Sequence, residues 1–298
     1  MSDTGQETVG VVGLGSMGLG MAATLAAKGF RTLGFDLSGE RKALAKEAGV
    51  VPVDSLAEVF ERSAFLVFSL PTARDVAGVV NDHIDILKNR QNGRTIIIDT
   101  STSEPNVSRE LSARLAALGH GFLDAPVSGG PAGAAAGKLT MMIGGTDEDV
   151  ALARPVIEAM AAKALHVGPS GAGNVAKLVN NLLAAAHMIT TGEGLKLAVA
   201  AGIDPEAALR VLNAASGRSM ISEVHFPTWI MSEKFDSGFS MGLMRKDVRL
   251  ARELAARTGA DLPLADMVAR LWAGSDRLRD TDDFTRMGAF KPASNEER

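Results

Sequence analysis

The sequence predicts an α/β domain built on a doubly wound parallel sheet, followed by an all-α domain. Three observations carry this. Short unbroken apolar runs alternate with helix-like stretches over the first half. A glycine-rich turn follows the first of those runs. Beyond Gly168 only helical patterns recur. A strand covered on both faces reads as a continuous apolar run, and strands separated by helices build right-handed βαβ units.

The strand candidates are Val9–Val12, Arg31–Phe35, Ala64–Leu70 and Thr95–Asp99, with shorter ones at Gly121–Leu123, Leu139–Ile143 and Leu165–Val167. Met17–Lys28, rich in Ala, Leu and Met, is the helix between the first two. GPSGAG at Gly168–Gly173 is punctuation. After it, Asn174–Ala201 reads as one long helix despite Gly192 and Gly194. Asp204 and Pro205 supply an N-cap and a first-turn proline for the next helix, and Pro227, Gly238 and Pro263 punctuate those that follow. The domains are therefore placed at 1–168 and 169–298, the second opening with a long interdomain helix. The last dozen residues, MGAFKPASNEER, read as a loose tail.

A chain of 298 residues has room for two cores. Its net charge of −4 leaves no basic footprint for nucleic acid. With no cysteine, disulfides, a zinc–thiolate site and a cysteine nucleophile are excluded, which suits a reducing compartment. With no tyrosine, a Tyr–Lys catalytic pair is excluded as well. The polar start MSDTGQET lacks signal-peptide features, and no run approaches the ~18–20 apolar residues needed to cross a bilayer. The expectation is a cytoplasmic protein with no membrane partner. His83, His120, His166, His187 and His225 are scattered without ligand spacing, so no metal is expected.

GLGSMG (Gly13, Leu14, Gly15, Ser16, Met17, Gly18) matches G-x-G-x-x-G between a predicted strand and a predicted helix, the fingerprint of a Rossmann-type unit. Gly13 permits the tight turn, Gly15 lets backbone approach a pyrophosphate, and Gly18 lets helix and strand pack closely. Free N–H groups and the helix dipole would face the phosphates. Asp36 ends the next strand, about twenty residues on, where an acid can accept from ribose hydroxyls. Its charge would repel a 2′-phosphate. No arginine stands at 37 or 38, Arg41 being the nearest, so NAD is expected rather than NADP.

Three further segments carry reactive groups. Lys177 and Asn181 are four apart and share a helix face, with Val175, Leu178, Val179 and Leu182 left to pack. A lysine and an amide held side by side suit proton transfer at an alcohol, although a bare pair of this kind is more often a solvated face. Desolvation in a cleft, or a nearby Lys246, would lower the lysine's pKa towards working pH. Ser128, Gly129 and Gly130 offer a hydroxyl and unhindered N–H groups for a carboxylate, or form a plain β-turn. Asp247 beside Lys246 reads as helical charge patterning, Asp124 as support for the Ser128–Gly130 turn, and Arg218 as a loop arginine or a contact to a second substrate anion.

Taken in order, GLGSMG with its MAATLAAKG helix, SLPT (Ser69–Thr72), STSEP (Ser101–Pro105), DAPVSGG (Asp124–Gly130), G-x-G-x-x-x-K-x-x-N-N (Gly171–Asn181) and KDV (Lys246–Val248) resemble the β-hydroxyacid dehydrogenase family from Val9 to about Ala251. The resemblance implies a catalytic general acid/base at Lys177 and a substrate contact at Asn181. It implies a carboxylate anchor at Ser128, Gly129 and Gly130, and Lys246 serving both substrate and cofactor. Leu70, Pro71, Asp75 and Thr102 would line the cofactor site, and Phe239 would wall the substrate or belong to the core. It further implies NAD, a small anionic hydroxy acid such as 3-hydroxyisobutyrate, and a homo-oligomer, dimer or tetramer. The alternative is a semialdehyde reductase running the same step backwards, and more distantly a silent NAD-binding sensor. Chain length and Asp36 disfavour a 6-phosphogluconate-type decarboxylase, and Lys177 disfavours imine reductases, which generally lack it.

Overall fold

The structure, a computed structural model, describes residues 7–90 and 93–289. The chain divides into two compact units, Met1–Lys177 and Leu178–Arg298.

The first unit begins β1 (Thr8–Val12), α1 (Ser16–Ala27), β2 (Arg31–Phe35), α2 (Gly39–Glu47), β3 (Val51–Pro52), α3 (Leu56–Arg62), β4 (Phe65–Phe68), α4 (Ala73–Asp82), α5 (Ile84–Lys88), β5 (Ile96–Asp99), α6 (Pro105–Ala116) and β6 (Gly121–Asp124). It continues with β7 (Val127–Ser128), α7 (Gly130–Ala135), β8 (Leu139–Gly144), α8 (Asp147–Met160) and β9 (Ala161–Gly168), then enters α9 (Ala172–Ala200). The sheet order is β3-β2-β1-β4-β5-β6-β8-β7, with β9 on β8. β1 to β6 are mutually parallel, while β8 runs antiparallel to β6 and β7. The order reverses between β1 and β4, and in such sheets the ligand crevice lies at the carboxyl ends of the strands beside that switch.

The apolar runs serve two cores. Val9, Val11, Phe65, Val67, Ile96 and Ile98 pack with Met21 and Leu25 of α1 and Val156 of α8. The intervening Leu66, Phe68 and Ile97 pack with Phe60 of α3, Val76 of α4 and Leu111 of α6. The period of two thus sends alternate residues to opposite faces, both buried. Each such side chain contributes roughly 1.5–3 kcal/mol on burial.

The predicted strands are present, with differences. β9 starts at Ala161, well before Leu165, and its middle is exposed. β3 and β7, of two residues each, are too short for periodicity to reveal. Thus Ser128 ends a strand, and Gly129 (φ +128) and Gly130 (φ +63) turn directly into α7, so the segment is no plain β-turn.

In the second unit, α9 is followed by α10 (Pro205–Ala214), a π-helical segment (Ile221–Ile230), α11 (Met241–Thr258), α12 (Pro263–Ala273) and a 3₁₀ turn (Phe284–Gly288). Asp204 caps α10 through the Ala207 N–H at 2.9 Å, as its position predicts. Pro227 lies inside the π-helical segment rather than ending a helix. Met188, Phe226, Met241, Val248, Trp272 and Phe284 form the core. The Trp272 indole N–H donates to the Ala185 carbonyl at 3.2 Å. Among the described residues no named strand follows β9; Ser240 and Asp283 form one isolated bridge. The predicted tail needs correcting where it is described: Met287 packs on this core and Gly288 is buried against Met188 and Ile230. Ala289 follows, exposed, and donates its N–H to the Arg286 carbonyl at 3.1 Å; residues 290–298 of that tail lie outside the described residues.

Candidate functional site

The glycine loop follows β1 at the switch point. Gly13 has φ +89, donates its N–H to the Phe35 carbonyl at 2.9 Å, and lies where a Cβ would meet the Ser69 carbonyl oxygen at 2.3 Å. A Cβ on Gly18 would sit 1.8 Å from the Gly13 oxygen, so α1 packs directly on the loop. Gly15 differs: nothing lies within 4 Å of its Cβ position. The backbone there faces open space, and α1 begins with neither a side-chain cap nor an acid in its first turn. An uncapped helix N-terminus behind an open glycine fits a pyrophosphate. Ser16 is exposed beside it, Met17 is half-buried and Leu14 is buried.

Asp36 stands directly after β2. Its carboxylate accepts from the Leu14 N–H at 2.7 Å and the Ser38 N–H at 2.8 Å, which ties the second strand's exit to the loop. Neighbouring Leu37 is 94 % exposed. Sequence patterning passes over Leu37, because an exposed leucine is unremarkable until its neighbours are known.

The loops after β4 and β5 meet at Leu70, whose N–H donates to Ser101 Oγ at 3.0 Å. Pro71 is exposed and Thr102 half-buried. Asp75 accepts from the Thr72 N–H and hydroxyl in a capping box that starts α4. Ser128–Gly130 leads into α7, and α7 packs against α1. The Thr24 hydroxyl donates to the Ala134 carbonyl at 2.8 Å, and a Cβ on Gly20 would meet the Ala135 nitrogen at 2.9 Å. Gly20 and Thr24 are thus the features that let α7 approach the dinucleotide helix. Nothing in the G-x-G-x-x-G pattern points to either.

Lys177 lies in the second turn of α9 and is 7 % exposed. The start of that helix is held by Asp124, which is fully buried. One carboxylate oxygen accepts from the Gly171 N–H at 2.6 Å and the other from the Asn174 N–H at 2.9 Å. Burial pushes the Asp124 carboxyl above the usual carboxylate range, with these N–H donors pulling the other way. Asp124 therefore caps α9 and does not brace the Ser128–Gly130 turn.

Asn181 continues α9 in the helical unit. Its Nδ2 donates to Asp247 Oδ2 at 2.6 Å, and its Oδ1 accepts from Asn180 Nδ2 at 3.0 Å. Asp247 is 1 % exposed and lies 3.4 Å from Lys246 Nζ. Helical charge patterning accounts for the Lys246 pair but not for the burial of Asp247 or its bond to Asn181. Lys246 also lines a cavity of about 710 Å³ with Arg245, Arg249, Trp272 and Asp280. Arg245 pairs with Asp280 at 2.5 Å and Arg249 with Glu253 at 2.6 Å. Phe239 packs edge-on to Phe284 at 5.4 Å, and Arg218 is exposed. His225, wedged against Trp229 and Phe284, has its pKa lowered by burial.

Among known proteins, residues 8–168 match the family described as the NAD binding domain of 6-phosphogluconate dehydrogenase. Residues 171–289 match that described as NAD-binding of NADP-dependent 3-hydroxyisobutyrate dehydrogenase. The chain is 35 % identical over 270 residues to the mitochondrial 3-hydroxyisobutyrate dehydrogenase of Mus musculus, covering 89 % of this chain and 80 % of that one. It is 35 % identical over 273 residues to an NAD-dependent L-serine dehydrogenase of Pseudomonas aeruginosa, covering 89 % and 91 %. The solved structure of Mycobacterium tuberculosis 3-hydroxyisobutyrate dehydrogenase with L-serine superposes with a TM-score of 0.87 at 33 % identity, over 95 % of this chain and 98 % of that one. The open glycine cradle and the ordered motifs agree with these matches: the chain belongs to the β-hydroxyacid dehydrogenase family and is a nicotinamide-dinucleotide-dependent oxidoreductase of hydroxy acids.

Proposed function

We propose that the chain oxidises a small 3-hydroxy acid, 3-hydroxyisobutyrate or a close analogue, with NAD and with Lys177 as general acid/base. The observation that carries this reading is the burial of Lys177 on an unbroken helix, since an amine kept from water can move a proton to and from a substrate oxygen. The dinucleotide, held by the Gly13–Gly18 loop, would supply the hydride acceptor for the carbinol carbon. The hydroxyl proton passes to the Lys177 amine as the C–O bond gains its second bond order. Ser128, Gly129 and Gly130 anchor the carboxylate, Asn181 orients the hydroxyl, and Lys246 serves the nicotinamide end. Gly13, Leu14, Gly15, Ser16, Met17 and Gly18 hold the pyrophosphate, Asp36 the adenosine ribose, and Leu70, Pro71, Asp75 and Thr102 line the rest. Asp36 and the exposed, uncharged Leu37 favour NAD over NADP.

The reading assigns 1–168 to dinucleotide binding and 169–298 to substrate binding and oligomerisation. An exposed stripe on α12, Leu264, Met267 and Leu271, supports a homo-oligomer, which light scattering tests. The cysteine-free composition supports a cytoplasmic location. Among the described residues no helix is long and apolar enough to cross a membrane.

The test is dinucleotide reduction over 3-hydroxyisobutyrate, L-serine, 3-hydroxypropionate and glycerate, with NAD and NADP in parallel. Lys177→Ala should lose roughly 10²–10⁴-fold in kcat while still binding NAD. Near-normal turnover in that variant would remove Lys177 from the chemistry, and silence over the whole panel would remove the substrate class.

A further inference from the structure

The family motif that contains Ser128 begins with a residue the reaction does not use. Asp124 is fully buried, at the end of β6, and accepts from the backbone of Gly171 and Asn174. Asn174 is fully buried too: its Oδ1 accepts from the Ser103 N–H at 2.9 Å and its Nδ2 donates to Ser108 Oγ at 3.0 Å. The fit is close, because a Cβ on Gly173 would sit 2.3 Å from the Asp124 carbonyl oxygen and 2.4 Å from that of Met142. The start of α9 is therefore locked to three segments of the sheet domain. Lys177 stands three residues after Asn174, on the same side and about one turn further along.

We infer that Asp124 is a positioning residue, which grips the first turn of α9 and thereby sets the rotation and height at which Lys177 leaves the helix. The inference rests on the proton-transfer reading of Lys177. Two backbone N–H donors need two acceptors. A carboxylate supplies both, whereas an amide in the same place supplies one and turns an N–H₂ towards the other donor. A fold that needed only apolar packing at this point would not bury a charge. Releasing one donor frees the helix start to turn. A rotation of 20° moves the edge of a helix with its side chains by on the order of 2 Å. A misplacement of about 1 Å can cost about 10²-fold in rate.

The test measures Asp124→Asn alone and in the Lys177→Ala background, using the fastest-turned-over acid of the panel above and NADH fluorescence for cofactor affinity. A kcat reduced about 10²-fold, with KM and NADH affinity within threefold, and no further loss in the Lys177→Ala background, supports the role. An unchanged kcat, or an equal loss in both backgrounds, overturns it, because the effect would then bypass Lys177. Near-normal turnover of Lys177→Ala by itself marks failure of the underlying reading instead. Should Asp124→Asn not fold, Ser108→Ala removes only the acceptor of Asn174 Nδ2 and should lower kcat by a smaller factor, again only when Lys177 is present; an unchanged kcat or a loss independent of Lys177 overturns the role.

Discussion

Asp124 and Asp247 are both buried carboxylates that hold helix α9, and they hold it by different means. In the α/β unit, Asp124 takes two main-chain N–H donors, at 2.6 and 2.9 Å. In the helical unit, Asp247 takes the side-chain amide of Asn181 at 2.6 Å, with the Lys246 ammonium 3.4 Å away. Main-chain donors have no rotamers, so the first grip decides where the helix begins and how it is turned. The second decides only the direction in which one amide points. The helix is placed by backbone and tuned by side chains, and the two grips should therefore break differently.

The largest effect should come from crowding the backbone grip. Gly173→Ala puts a methyl against two carbonyl oxygens, 2.3 and 2.4 Å away, and neither has a rotamer to yield. A loss of roughly 3 kcal/mol in denaturant unfolding is expected, the upper part of the range for overpacking. On the same helix, Gly194 has nothing within 4 Å of its Cβ position. Gly194→Ala should stabilise by about 0.5–1 kcal/mol. Equal effects from the two alanines would show that the start of α9 is not held more tightly than its middle.

The side-chain grip should yield less. Asp247→Ala leaves the Asn181 amide without its acceptor beside the Lys246 charge. A hydrogen bond to a charged group contributes about 1.5–3 kcal/mol, hence roughly a 10–100-fold loss in kcat/KM. Asp247→Asn, which keeps one acceptor, should fall in between. If both variants turn over as the parent does, Asn181 is oriented by something else.

These two acids also mark how far the sequence can be read. The central strands were legible because Phe65–Phe68 and Ile96–Asp99 are apolar at every step or nearly so, and the glycine loop because Gly13 and Gly18 answer separate steric demands while Gly15 leaves its backbone open. β3 and β7 were not, since two residues carry no period, nor was the extent of β9, whose exposed alanines resemble a loop. Lys177 and Asn181 could be paired from their spacing. Asp124 was misassigned and Asp247 read only in part, because their partners lie 47 or more residues away and an acid's burial is a property of its neighbours. Reading Asp124 with GAGN, and Asp247 with Asn181, requires knowing that those segments meet. Local pattern carries no such information.

The smallest expected effect separates the grips by pH. Burial raises the pKa of Asp124, so the folded protein holds that proton to higher pH than the unfolded chain does. The stability gained from Asp124 is therefore fully present below the unfolded carboxylate pKa and is lost as pH rises through the folded value. Asp124→Asn cannot titrate. The stability of the parent relative to this variant should shrink as pH climbs through that interval, by at most about 1.4 kcal/mol per pH unit, and then level off. Denaturant midpoints of both proteins from mildly acid to neutral pH measure it. A gap that widens instead would mean that the two N–H donors outweigh desolvation and hold the carboxylate ionised. The backbone grip would then be a net source of stability at neutral pH, whereas the raised pKa makes it a placement held against the cost of burying its charge.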